Sequence, residues 1–276
     1  MQSLDEKRVF APDRPARTLY VGTDRGLIAL SVAGVHLGRY SMAIRGTVHA
    51  LCATPAGVIA AVDDRVEAIG GAELPSTMPA TIGEVAVLGA DAAAVWTATD
   101  DLVTRYPCSD GGDPERHRTG GAVTAIAPPF IGTTDGLLRY TSDGLQSVGL
   151  EQVTALTSAP LVGTTEGLYT LGNGWMRQLQ GHVLAAASHP SHSAAATDTG
   201  IYTGASGWAA LDAPPAPSVA LAVSADVVYA ISADGIVMAN LPGEPWTQTH
   251  LGVSGITGVV IAPTTNGKHP PRAVPT

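Results

Sequence analysis

FIGTTDGLLRY (130–140) sets two apolar, β-type runs on either side of an acidic turn that ends in Gly. Asp-Gly between two such runs is a strong hairpin signal, because Gly accepts the positive φ that a tight hairpin turn requires. The arrangement recurs at LYVGTDRGLIAL (19–30), VIAAVDDRVEAI (58–69), AVWTATDDLVTRY (94–106), LVGTTEGLYTL (161–171), AAATDTGIYTG (194–204) and VYAISADGIVMA (228–239). With Gly26 as reference, the equivalent positions are Arg65, Asp101, Gly136, Gly167, Gly200 and Gly235, at intervals of 39, 36, 35, 31, 33 and 35 residues. A period in this range marks a repeat architecture.

Each hairpin after the first has a short run of small and β-branched residues on its N-terminal side: VHALCA (48–53), EVAVLGA (84–90), AVTAIA (122–127), VTALTSA (153–159), VLAAAS (183–188) and SVALAVSA (218–225). On its C-terminal side lies a more polar strand, such as LQSVGL (145–150), WMRQLQ (175–180) or WTQTHL (246–251). An apolar inner strand, a hairpin pair and a polar outer strand make the four-stranded antiparallel blade of a β-propeller. No window has helical periodicity. The fold class predicted is therefore all-β, a seven-bladed β-propeller.

The first hairpin, from Leu19, has no inner strand ahead of it, and ITGVVIA (256–262) is an inner strand with no hairpin after it. The two halves complete one blade, so the C-terminal strand closes the ring beside the first hairpin and removes exposed sheet edges. The propeller is expected over 18–263. Residues 1–17 and 264–276, with Pro12, Pro15, Pro270, Pro271 and Pro275 and no hairpin, read as tails. Trp175, Trp208 and Trp246 follow turns at the starts of outer strands, where an indole is expected to fill the gap between blades.

Composition agrees. Of 276 residues 45% are hydrophobic, only 14% are charged, and 32 Gly and 20 Pro supply many turns. The net charge of −9 argues against a nucleic-acid partner, which needs clustered Lys and Arg. No run approaches the ~18 apolar residues of a membrane span, and MQSLDEKRVF has no apolar core after its charges, so neither a membrane nor secretion is expected. Cys52 and Cys108 lack C-x-x-C spacing and read as reduced thiols, Cys52 as a small buried hydrophobe. A cytoplasmic location follows as the expectation. Arg outnumbers Lys, which occurs only at Lys7 and Lys268, and 16 of the 24 acids are Asp, a bias pointing to a salt-loving, GC-rich source.

The unit IGTTDGLLRYTSDGLQSVGLEQVTAL (131–156) resembles the repeats in propellers of bacterial two-component regulators. The turns Ser142–Asp143–Gly144 and Asn173–Gly174–Trp175 resemble degenerate Asp-box turns of sialidase-like propellers, without the full pattern and so without implied sialidase chemistry. Through EKRVF (6–10) and GLYTLGNGWM (167–176) above all, the chain resembles a family of uncharacterised haloarchaeal propellers, which implies the fold and no particular activity.

Chemistry, if any, is expected at the hairpin turns, each of which carries a carboxylate: Asp24, Asp63 with Asp64, Asp100 with Asp101, Asp135, Glu166, Asp198 and Asp234. Turns on one face would form an acidic ring at the channel mouth, able to hold a hard cation or repel anions. The competing reading is turn chemistry alone, since Asp before Gly is favoured by local geometry. His189 and His192, three apart, are weak metal candidates that lack a third ligand nearby in sequence. Arg116, His117 and Arg118 read as charge protecting a sheet edge. There is no G-x-S-x-G, H-E-x-x-H, P-loop or Ser-x-x-Lys motif. The function expected is a non-catalytic scaffold for a protein partner or small ligand, with no cofactor. The alternative is a propeller-type hydrolase or lactonase with a metal at the axial channel, held by carboxylates from several blades.

Overall fold

The computed structural model describes residues 17–109, 112–159, 161–204 and 207–263. The two expected tails, apart from Arg17 at the start of the first strand, lie outside the described residues, as does EKRVF.

A threonine staple explains why the repeated turns form. Thr133 ends a strand buried, donates its hydroxyl to Gly136 O at 2.8 Å, and accepts from the amides of Asp135 and Gly136 at 3.2 and 2.9 Å. Thr23 and Thr164 make the same three bonds in their own turns, and Thr197 repeats the pattern with Gly200 O and Thr199 N. Gly26, Gly136 and Gly200 follow with φ of 149°, 148° and 145°, closed to L side chains. Where Gly is absent the left-handed residue is Asp, the type that tolerates it: Asp63 at φ 52° and Asp100 at φ 50°.

Seven sheets result, each antiparallel. Six have four strands, and the inner strand Ile256–Pro263 pairs with Arg17–Thr23 to complete the first blade, in the register Arg17↔Pro263 to Thr23↔Ile256. The seven-bladed propeller and its closure by ITGVVIA are borne out. The second blade departs from the repeat, with three strands, Val48–Ala53, Val58–Val62 and Arg65–Ile69. Its outer strand is replaced by residues 70–84, where Pro75 and Pro79 lack a backbone N–H and Gly70, Gly71 and Gly83 adopt positive φ. Leu74, Met78 and Ile82 from this loop pack against Val85, Leu88 and Val95 and fill the space before the third blade.

Glycine also sets how blades meet. A β-carbon on Gly163 would lie 2.6 Å from Val183 Cγ1, so the bare backbone of one blade receives the first valine of the next inner strand. Gly22 and Gly132 receive Val48 and Val153 in the same way. Further out, Trp175 packs with Phe130, Leu137 and Val162 and donates Nε1–H to Val148 O at 3.0 Å, bridging the fourth and fifth blades. Trp208 packs with Leu168, Val183 and Ala195, and Trp246 donates to Asp212 O at 2.8 Å. All three indoles occupy gaps between blades. Among the described residues no helix is long and apolar enough to cross a membrane.

Candidate functional site

The acidic turns share one face, the one where inner strands begin, since Val48, Val123, Val153 and Val183 pair with the last residues of their neighbouring strands, Val62, Thr133, Thr164 and Thr197. On that face two of the carboxylates bond the segments beside them, three lie against a neighbouring loop, and other turns engage through their backbone. Asp63 Oδ1 accepts from Thr47 N at 2.8 Å, in the loop leading into its own blade. Asp24, Asp135 and Asp198 lie against Gly255, Gly121 and Gly181, so closely that a β-carbon there would sit 2.6–2.7 Å from the carboxyl atoms. Asp101 takes both oxygens to Arg118 at 2.8 Å. The Asp64 and Asp100 carbonyls accept from Ile82 N at 3.0 Å and Val123 N at 2.8 Å. Asp234 sits in the Ser232–Gly235 turn, and Glu166 lines a shallow hollow of about 220 Å³ with Glu151, Gln152 and Tyr169. The turns are brought to one face, but no three His, Cys, Asp or Glu side chains among the described residues converge as a metal-ligand set.

His189 and His192 lie on the opposite face, in the turn after the sixth inner strand. His189 Nδ1 is 2.8 Å from Ser191 Oγ. His192 Nδ1 lies 2.9 Å from Ala225 O, which as a carbonyl can only accept, so Nδ1 carries the proton. Ser191 Oγ donates to the same carbonyl. Ser191 and His192 thus tie the sixth blade to the seventh. Burial, then the Arg17 and His192 charges, hold the His189 pKa below its ordinary value, against the pull of Asp226.

On this second face the axis opens into a recess of about 570 Å³, lined by the C-terminal halves of all seven inner strands. Its wall combines aliphatic side chains, including Leu51, Ile126, Leu156, Ala187, Leu221 and Val259, with nearly as much polar surface, hydroxyls at Thr54, Thr157, Ser158 and Ser188 among it. Among the described residues Asp91 is its one carboxylate, and its Oδ1 accepts from Ala93 N and Ala94 N at 2.7 and 2.8 Å, capping its own turn. Cys52 also lines the recess, and burial pushes its thiol up to about 12. Nearer the acidic face, six inner strands bulge at their second residue: His49, Thr124, Thr154, Leu184, Val219 and Thr257 fall out of the ladder. Thr124 and Thr154 donate to Val153 O and Val183 O at 2.7 Å, linking consecutive inner strands around the axis.

A polar cluster unforeseen from the sequence joins the third and fourth blades. Arg105 bonds Glu115 Oε1 at 2.7 Å and lies 5.6 Å from the ring centres of both Trp96 and Tyr140. Tyr140 donates its hydroxyl to Glu115 Oε2. That bond, with the Arg105 charge, holds Glu115 below its ordinary pKa despite some burial; the same bond, burial and the Glu115 charge raise Tyr140 against the Arg105 charge. His117 meets the Tyr140 ring edge-on at 5.5 Å, so the central residue of the expected edge-protecting run is half-buried in this cluster.

The sequence model of the HVO_0234-like beta propellers matches residues 3–262. The chain belongs to this family. The HVO_0234-like chain also resembles solved propellers. It is 19% identical to the computationally designed Ika8 protein, with 89% of this chain and 90% of that one covered and a TM-score of 0.59. It is 13% identical to a chain of the Nidogen/Laminin complex, covering 90% and 99%, with a TM-score of 0.56. The extracellular domain of BT4673 from B. thetaiotaomicron, described as a one-component or hybrid two-component system, is 11% identical with a TM-score of 0.56. It aligns over 87% of this chain and 39% of its own. The likeness to two-component-regulator propellers and the family resemblance read from the sequence are borne out. At these identities the solved structures speak to the fold alone. No curated protein matches the sequence.

Proposed function

We propose that this HVO_0234-like propeller is a non-catalytic, cytoplasmic binding protein that takes a small ligand, or the projecting segment of a protein partner, in its axial recess. One observation carries the reading. Seven strands from seven blades converge on a single recess that combines aliphatic side chains with hydroxyls, and whose one carboxylate among the described residues is engaged by its own turn. A recess of about 570 Å³ with a mixed apolar and polar lining is of the size that takes a small molecule. Metal-dependent hydrolysis would draw on carboxylates at the axis, whereas the acidic turns stand on the other face, engaged with neighbouring loops. The free thiols Cys52 and Cys108 accord with a reducing compartment.

Native mass spectrometry of the protein isolated from its own cells tests this. A bound small molecule or companion chain is expected, and Ala187→Trp, which fills the recess, should strip it. A species retained by Ala187→Trp places the site elsewhere. One divalent ion per chain, with lactone hydrolysis that tracks its occupancy, would establish the hydrolase alternative instead.

A further inference from the structure

The outer strand of the first blade, His36–Arg45, is unlike the other outer strands. It has ten residues, against three to six in the others, and eight of the ten are exposed and none is buried. It ends its sheet, so among the described residues its outward backbone groups have no strand partner. Natural edges are blunted by being short and polar. This one is long and presents Tyr40 and Met42 at 48% and 42% exposure.

The cross-strand partners of Tyr40 and Met42 are Leu30 and Ile28, both buried with Val227, Tyr229 and Val237 of the seventh blade. Cross-strand partners share a face. Tyr40 and Met42 therefore continue an apolar stripe outward, beyond the reach of the seventh blade's four-residue outer strand, Thr247–His250. Charge marks the same strand. His36–Arg45 carries Arg39 and Arg45 and no Asp or Glu, in a chain of net charge −9, while the carboxylate nearest its C-terminal end, Asp63 beside Gly46, already accepts from Thr47 N.

We propose that His36–Arg45 is a docking edge that takes an extended, acidic segment of a partner protein as a fifth strand of the first blade. The open backbone supplies main-chain hydrogen bonds, as in other strand-addition complexes. Tyr40 and Met42 receive apolar side chains on one face of the added strand, while the arginines select carboxylates and exclude basic segments. The occupant thus alternates apolar and acidic residues, the pattern of a strand with two different faces. The inference is independent of the axial recess.

The test uses a fluorescein-labelled peptide, Ac-EVEVEVEVE-NH2, and fluorescence anisotropy on the full chain. Saturable binding is expected, weakening by at least about tenfold in Arg39→Glu/Arg45→Glu and as salt is raised. Arg39→Gln/Arg45→Gln should weaken it by less, and serves should the double reversal misfold. Alternate N-methylation of the peptide backbone and replacement of Glu by Lys should each abolish binding. Equal binding of the N-methylated peptide, equal binding of the Lys peptide, equally tight binding of oligo-dT, or no binding of the acidic peptide would each overturn the proposal.

Discussion

The hydroxyl of Tyr229 donates to the carbonyl of Gly34 over 2.7 Å, although 195 residues separate the two in the chain. Tyr229 belongs to the seventh blade and Gly34 to the first, and Thr247 Oγ1 repeats the link to Val35 O at 2.6 Å. Tyr229→Phe leaves a partner-poor carbonyl at the seam and should cost about 1–3 kcal/mol in urea unfolding. Removing residues 253–276, and with them the strand that closes the ring, should give an insoluble or dye-binding, non-cooperative product. A 1–252 fragment that melts cooperatively would contradict the closure.

Gly163→Ala should destabilise the protein by about 1–3 kcal/mol, because the new carbon meets Val183 Cγ1 at 2.6 Å. Val183→Ala costs stability by itself but should relieve part of that clash. A double-mutant cycle with a favourable coupling energy for the pair is the expected result.

The turn hydroxyl and the turn carboxylate should separate cleanly. Thr133→Val removes a buried group that makes three bonds and should cost about 1–3 kcal/mol. Asp135→Asn keeps the turn and should stay within about 0.5 kcal/mol by chemical denaturation. A carboxylate effect larger than the hydroxyl effect would assign the turns a charge-dependent role.

Glu115 gives the stability an acid limb. The Tyr140 bond and the Arg105 charge lower its pKa in the folded state, so the folded protein binds fewer protons than the unfolded chain near that pKa. Its contribution is then complete above the unfolded carboxyl value near ~4.3 and is lost as pH falls through the lower folded value. Glu115→Gln should melt earlier at pH 7, and its deficit relative to wild type should shrink on going below about pH 4. A deficit independent of pH would mean that the carboxylate charge plays no part.

The two thiols should differ in reactivity. With its thiol pushed up to about 12, Cys52 is about one part in ten thousand thiolate at pH 8. Cys108 is exposed, although burial and Asp91 raise its pKa. Iodoacetamide at pH 8 should label Cys108 alone until denaturant is added, as read by mass spectrometry.

Much of the ring was legible because its local rules are written in adjacent residues. Thr-Asp-Gly and Thr-Glu-Gly turns such as 134–136 and 165–167 mark their hairpins directly, and an orphan inner strand at 256–262 has one place to go. The second blade lost its outer strand to residues 70–84 because Pro75 and Pro79 override a repeat that counts apolar runs. The alternation V-x-A-L in VHAL and VTAL carried the bulges in plain sight, but a bulge is a matter of register between strands, invisible in either strand alone. The cluster of Arg105, Glu115 and Tyr140 depends on the rotation of one blade against the next, which no single repeat encodes. The acidic residues were easy to find and their companions were not, since Thr47 and Gly255 lie 16 and 231 positions from the carboxylates they meet.

The pairing of Arg17 with Pro263 has a mechanical consequence. The two strands of the seam leave the sheet side by side, at the same end of an antiparallel ladder. Tension applied through the flanking chain therefore falls on one rung at a time, peeling Ile256–Pro263 from Arg17–Thr23 like a zip, whereas the same ladder loaded along its length would have to slip all its rungs together. An unfoldase that grips the chain beyond either strand pulls in the direction of least resistance, and the first rung it breaks opens the whole circle.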